Sequence, residues 1–200
     1  LERGEIVTDA RSAAAYDIRT GKPLWQTYMI DQPLQYQGRT PKGAKRFGPS
    51  GAVIFTPPPL DPKRGLVYLT TGNQTTGPYV PESDAVVAVD AKTGAKRWVA
   101  TLAPEKLGRQ DIYHLGCELW VDPTRQGCPP ENPGPGGAGD RDFAAPVMIV
   151  QRADGKEVLV AGSKDGMLYA LDPDTKGKVL WQRRLGDGGE LGGIQYGMAT

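Results

Sequence analysis

The sequence predicts an all-β chain built from repeated four-stranded units. Its 200 residues include 27 Gly and 18 Pro, a load that argues against helical bundles and coiled coils. One pattern also occurs three times: Ala15-Tyr16-Asp17-Ile18-Arg19-Thr20-Gly21 leading to Trp25, Ala88-Val89-Asp90-Ala91-Lys92-Thr93-Gly94 leading to Trp98, and Ala170-Leu171-Asp172-Pro173-Asp174-Thr175-Lys176-Gly177 leading to Trp181. Three of the four Trp in the chain occupy this one position. Short strand-like stretches separated by turn residues fill the intervals.

Each repeat reads as a β-hairpin. The stretch before the Asp is apolar and β-prone, as in Asp84–Val89 or Met167–Leu171. Asp and Thr side chains bond nearby backbone N–H groups, and Gly supplies a positive φ, so the Asp-to-Gly stretch is turn chemistry. A second strand then carries the Trp, whose large apolar face docks one sheet on the next. The repetition of Asp17, Asp90 and Asp172 marks them as structural.

Along the chain, residues 11–17 and 23–29 give the last hairpin of a first unit. A second unit has strands at 51–56, 66–71, 84–90 and 95–101. A third has strands at 145–151, 156–162, 166–172 and 178–185, with a turn at Ala153-Asp154-Gly155. Gly193-Ile194-Gln195-Tyr196 begins a further unit. Four-stranded repeats of this kind are β-propeller blades. The organisation is therefore a partial blade at 1–30, a blade at 48–102, a long loop at 103–143, a blade at 144–186 and the start of another at 190–200. About two and a half blades leave open strand edges, so the chain is expected to be a sector of a larger ring that folds poorly alone.

Charge and hydropathy exclude several classes. A formal net charge of +1 without basic runs leaves no electrostatic footprint for nucleic acid. No apolar run reaches the roughly 18–20 residues of a membrane helix, and Leu1–Glu5 lacks the apolar core of a signal peptide. One His and two Cys are too few for a tetrahedral zinc site. Cys117 and Cys128 lie in a Pro/Gly-rich loop, where a disulfide would limit disorder and indicate an oxidising compartment; two unpaired thiols are the alternative. Their spacing does not match c-type haem attachment.

The Trp-bearing hairpins resemble the tryptophan-docking motif of the quinoprotein alcohol dehydrogenases, eight-bladed β-propellers that hold pyrroloquinoline quinone (PQQ) and a metal ion near the ring axis. Gly48-Pro49-Ser50-Gly51-Ala52, Leu60–Tyr68, Thr71-Gly72-Asn73, Asp142-Phe143-Ala144 and Gly192–Gly197 are most similar to the polyvinyl-alcohol-dehydrogenase-like branch. The resemblance covers nearly the whole chain. It implies a PQQ-dependent oxidoreductase acting on an alcohol, secondary or polymeric, with a cytochrome c-type electron acceptor and a periplasmic or secreted location.

The resemblance also assigns a site. Asn73 follows a strand in the Thr-Gly-Asn turn, Asp142 precedes a blade's first strand, and Glu2, with Glu5 as the other choice, precedes the first hairpin; these are the expected metal ligands. Oxygen donors of this kind suit Ca2+, and Ala144 stands where lanthanide-dependent relatives carry a second carboxylate. Asp142 is expected to double as general base, and Lys164 to bond the quinone oxygens. Phe55 takes the place of the Trp that usually lies under the quinone ring. Read without the resemblance, Asn73 is a turn residue with positive φ, Asp142 a loop or capping carboxylate, and Lys164 a hairpin-turn Lys. The competing function is a non-catalytic propeller of the same architecture serving as a scaffold or assembly protein, which would not need the Asn73, Asp142 and Lys164 set.

Overall fold

The computed structural model describes residues 4–8, 11–39, 45–76, 78–102, 141–189 and 192–199. Its described elements are strands, apart from one turn of 3-10 helix at Pro173–Thr175. Strands β1 (Gly4–Thr8), β2 (Ser12–Asp17) and β3 (Pro23–Tyr28) form a three-stranded antiparallel sheet. Strands β4 (Gln35–Arg39) and β5 (Lys45–Gly48) form a separate hairpin. The two-residue β6 (Ser50–Gly51) pairs with β9 (Gln74–Thr76). The second sheet has the order β11-β10-β8-β7, from β7 (Leu60–Asp61), β8 (Leu66–Thr70), β10 (Ala85–Asp90) and β11 (Lys96–Thr101). The third sheet runs in sequence order through β12 (Met148–Gln151), β13 (Glu157–Gly162), β14 (Met167–Asp172) and β15 (Lys178–Arg184).

The central sheet is apolar on both faces, and its side chains sort by the two-residue period of a strand. Val67, Leu69, Val87 and Val89 pack with Ala13, Ala15, Trp25 and Met29 of the first sheet. Their neighbours Tyr68, Val86 and Ala88 pack on the other side with Leu159, Ala161, Tyr169 and Leu171 of the third. The three sheets are therefore stacked face to face through two cores.

The repeats are built alike. In each hairpin the Trp faces a small residue across the ladder: Ala15 opposite Trp25, Ala88 opposite Trp98, Ala170 opposite Trp181. The register shifts just after that Ala in all three hairpins. Asp17 Oδ1 accepts from the N–H groups of Arg19 and Thr20 and from the Thr20 hydroxyl, and Asp90 Oδ1 does the same with Lys92 and Thr93. Asp172 accepts from Asp174 N and caps the 3-10 turn. The repeat Asp residues are thus turn-builders, as expected.

Docking runs from Trp25 and Trp98 to the turn of the next repeat. The Trp25 indole lies against Gly94, where a Cβ would come within 2.7 Å of the ring. Trp98 lies against Gly177 in the same way, its ring 2.6 Å from a Cβ built there. Trp25 is 8% exposed, whereas Trp181 is 49% exposed.

Two strand expectations differ from the structure. Residues 52–59 form no strand; Pro57, Pro58 and Pro59 lack ladder donors, and Ala52 has φ 53°. The fourth strand of the second sheet is instead the short β7. Gly193–Tyr196 is also not a strand. There, Ile194 N and Tyr196 N donate to the carbonyls of Ser163 and Ala144, so these N–H groups serve neighbouring loops rather than a ladder. Glu2, His114, Cys117, Cys128 and residues 103–140 lie outside the described residues, and with them the proposed disulfide. No helix among the described residues is long and apolar enough to cross a membrane.

Candidate functional site

Three loops meet beside the ends of β8 and β13. The first is Thr71-Gly72-Asn73, which leaves β8. The Thr71 hydroxyl donates to the Glu82 carbonyl and accepts from Ala85 N. Gly72 N donates to Val53 O, and Gly72 O accepts from Asp84 N. Asn73 O accepts from Ala52 N. The second loop is Asp142-Phe143, clamped to the first by Phe143 N donating to Thr71 O. The third is the β13–β14 turn, Ser163-Lys164-Asp165-Gly166, where Lys164 N donates to Asp142 O at 3.0 Å.

Asp142 is the centre of this arrangement and is 4% exposed. Its Oδ1 accepts from Asn73 N at 2.8 Å. Its Oδ2 accepts from Lys164 Nζ at 2.6 Å, in an ion pair. Lys164 Nζ also lies 5.6 Å from the centroid of the Phe55 ring, within cation–π range. The Phe55 ring is half exposed, so it keeps an open aromatic surface next to the cation. Four of the five residues expected at the site, Phe55, Asn73, Asp142 and Lys164, thus come together; Glu2 is outside the described residues. Lys164 sits in a hairpin turn, as the simpler reading had it, but its ammonium is directed to Asp142. Asn73 is not among the residues with positive φ, so a left-handed turn does not explain it.

Backbone strain gathers around the same loops. Only four described non-glycine residues have positive φ: Ala52, Asp84, Lys176 and Tyr196. Lys176 belongs to a repeat turn. The other three donate their N–H groups to Asn73, Gly72 and Ala144 respectively. Strained conformations held by surrounding structure concentrate at functional sites.

Gly72 belongs to the site although its sequence shows only a turn glycine. A Cβ there would collide with Asp142 Oδ1 and come within 2.7 Å of the Phe55 ring. Its absence lets the carboxylate and the phenyl ring share one concavity. The strap formed by residues 186–189 and 192–197 is a second component that local patterning did not reveal. Gly189 N donates to Lys164 O, and the Ile194 and Tyr196 bonds tie the strap to both the Lys164 and Asp142 loops.

The donor set bears on what a quinone and a hard cation require. Asn73 is 7% exposed, and its Nδ2 has no hydrogen-bond partner among the described residues. Rotating this amide by half a turn presents its oxygen in the same place, which suits an oxygen-seeking cation. Among the described residues no three His, Cys, Asp or Glu cluster together; Asp142 and Asn73 are oxygen donors this spot offers. The open Phe55 face beside the Lys164 ammonium fits a flat, anionic ring. The residues present therefore fit both groups.

The chain is also similar to known proteins. Residues 6–112 match the PQQ family model described as glucose/ethanol/alcohol dehydrogenase, beta-propeller domain. The chain is 38% identical over 189 residues to a polyvinylalcohol dehydrogenase of a Pseudomonas species, covering 93% of this chain and 27% of that protein. It is 39% identical over 186 residues to the polyvinylalcohol dehydrogenase of Sphingopyxis sp. (strain 113P3), with the same coverage of 93% and 27%. The chain thus spans about a quarter of the length of these relatives. A quinohemoprotein alcohol dehydrogenase from Pseudomonas putida HK5 shares the fold with a TM-score of 0.57 at 18% identity, over 92% of this chain and 27% of that one. With the repeated Trp docking and the stacked four-stranded sheets, the match over more than half of its residues shows that the chain belongs to the PQQ family of glucose/ethanol/alcohol dehydrogenase β-propeller domains.

Proposed function

We propose that the protein carrying this chain is a quinoprotein dehydrogenase that oxidises an alcohol, with PQQ and Ca2+ held beside Asp142. The observation that carries this reading is the convergence of Phe55, Asn73, Asp142 and Lys164 from separate segments on one spot. A scaffold has no use for a buried carboxylate paired with a lysine next to an open aromatic face.

When bound, PQQ supplies a hydride acceptor and Ca2+ a Lewis acid. Asp142 and the Asn73 amide, with Glu2 as the third member, would hold the cation. The Phe55 face would stack on the flat ring, with less area than an indole offers. Lys164 would place its positive charge where negative charge builds up on reduction. Asp142 is the base in reach of the alcohol. Each of its oxygens accepts one hydrogen bond in the structure, and a carboxylate oxygen has capacity for another. The Asn73 N–H and the Lys164 ammonium fix the carboxylate's orientation, so the proton is taken at a set position.

The similarity to polyvinylalcohol dehydrogenases favours a secondary or polymeric alcohol as substrate. A cytochrome c-type acceptor and a periplasmic or secreted location complete the proposal. The test is alcohol-dependent dye reduction by the full-length protein prepared without cofactor. Activity should need both added PQQ and added Ca2+, and Asp142→Asn should abolish it. Failure to bind PQQ at all would instead favour the scaffold reading.

A further inference from the structure

Asp142 and Lys164 each have a neighbour of opposite charge. Arg141 precedes Asp142, and Asp165 follows Lys164. Two side-by-side pairs therefore link the loops: Lys164 Nζ to Asp142 Oδ2 at 2.6 Å, and Arg141 Nη1 to Asp165 Oδ2 at 3.8 Å. A lysine in a hairpin turn ordinarily has several geometries open to it, including folding back on the carboxylate beside it.

Asp165 is committed elsewhere. Its Oδ1 accepts a short hydrogen bond from the buried Ser163 hydroxyl. Its Oδ2 faces both Arg141 and, at 3.9 Å, Arg184 of β15. Its main-chain carbonyl accepts from Arg184 Nη1 at 2.6 Å. The turn itself is closed by Gly166 N donating to Ser163 O, and Ser163 N donates to Met167 O. The Ser163 hydroxyl and two guanidinium groups thus surround the Asp165 carboxylate. Asp142 is left as the counterion that Lys164 reaches.

We propose that Asp165 is a positioning residue for Lys164. It fixes the turn through Ser163 and Arg184, and it holds the Arg141 charge beside its own carboxylate. Lys164 is then pre-set against Asp142 before any ligand arrives. Asp165 itself touches no reacting atom. Preorganisation by such outer groups commonly changes affinity by roughly 10-fold to 100-fold.

The test uses Asp165→Asn in the full-length protein, because this change keeps the shape and removes the charge. Two readouts are taken: the rate of Lys164 acetylation by an amine-reactive ester in the cofactor-free protein, followed by mass spectrometry, and the Kd for PQQ from an absorbance titration. Asp154→Asn, the same change in another hairpin turn that pairs with an arginine, is the control. Asp165→Asn should speed Lys164 labelling several-fold and weaken PQQ binding by about 10-fold, while Asp154→Asn changes neither. Adding Arg141→Met to Asp165→Asn should reverse most of both changes, because the displaced cation is then absent. If Asp165→Asn does not fold, Arg184→Gln, which removes the anchor on the Asp165 carbonyl, should give the same faster labelling. Labelling at the wild-type rate in the folded variant, or a loss that Arg141→Met leaves in place, overturns the proposal. The PQQ readout rests on the proposed function, whereas the labelling readout does not. A wild-type protein that fails to bind PQQ therefore defeats that function while labelling still decides the role of Asp165.

Discussion

The indole Nε1 of Trp25 donates to the carbonyl of Ala91 across a distance of 3.1 Å, joining the first sheet to the turn of the second. This bond and the ring's contact with Gly94 are the unit of sheet-to-sheet attachment. Trp25→Phe removes the donor but keeps an aromatic ring, so it should lose about 1 kcal/mol. Trp25→Ala also opens a cavity in the core shared with Val67, Leu69 and Val87 and should lose roughly 3–5 kcal/mol. Urea unfolding of both variants in the full-length protein checks the order.

Gly72→Ala tests whether the site depends on close approach. The added methyl group would meet Asp142 Oδ1 and the Phe55 ring, and both must shift. Overpacking of this kind costs about 1–3 kcal/mol. The expected result is a modest drop in Tm with a much larger loss of PQQ affinity. Equal PQQ binding by wild type and Gly72→Ala would show that the concavity is not where the ring sits.

The features that sequence made legible are those written in local chemistry. The Asp17, Asp90 and Asp172 turns and the Trp on each following strand define the repeats, because an Asx-type turn and a docking ring need only a few adjacent residues. The motifs around Asn73, Asp142 and Lys164 single these residues out, and the structure brings the three together. Apolar residues make 51–56 read as β, yet Ala52 takes a positive φ with its N–H bonded to Asn73, a tertiary partner outside that window. Gly193–Tyr196 was misread for a related reason: its alternation suits a strand, yet its N–H groups are taken by Ser163 and Ala144. The Arg64 cluster joins residues far apart in sequence, Asp61, Glu157 and Asp174, so no window of sequence contains it.

The Lys164–Asp142 pair predicts strong coupling. Both side chains are largely buried, 12% and 5% exposed, so removing one partner strands a charge away from water. Lys164→Met should destabilise the protein by about 3 kcal/mol. The double variant Lys164→Met with Asp142→Asn should recover part of that loss, since no unpaired charge remains. A double-mutant cycle by urea denaturation measures the coupling. Additive losses would mean that the pair is solvated and energetically independent.

Arg64 predicts the acid limit of the fold. It bonds Asp61, Glu157 and Asp174 and so ties the β7–β8 turn to β13 and to the turn before β15. Burial raises the Asp61 carboxyl, but hydrogen bonds from Arg64 and Tyr68 outweigh it and hold the group below its ordinary value. The Arg64 hydrogen bonds hold Glu157 and Asp174 low as well, with Lys63 assisting at Glu157. A carboxyl that is more acidic in the folded state takes up its proton later than the unfolded chain does. Its contribution is therefore complete above the unfolded pKa, about 4, and is lost as pH falls through the lower folded value. Arg64→Met should flatten this decline, so wild type and variant should differ most near neutral pH and converge as pH falls through the lowered folded values. At the alkaline end the sign reverses: burial, with the Asp165 charge adding to it, pushes Tyr169 up to about 12, so its contribution holds below about pH 10 and falls as pH rises toward that value. Urea midpoints of both proteins across this range measure the two limbs. An acid limb of equal slope in Arg64→Met would remove the cluster as its cause.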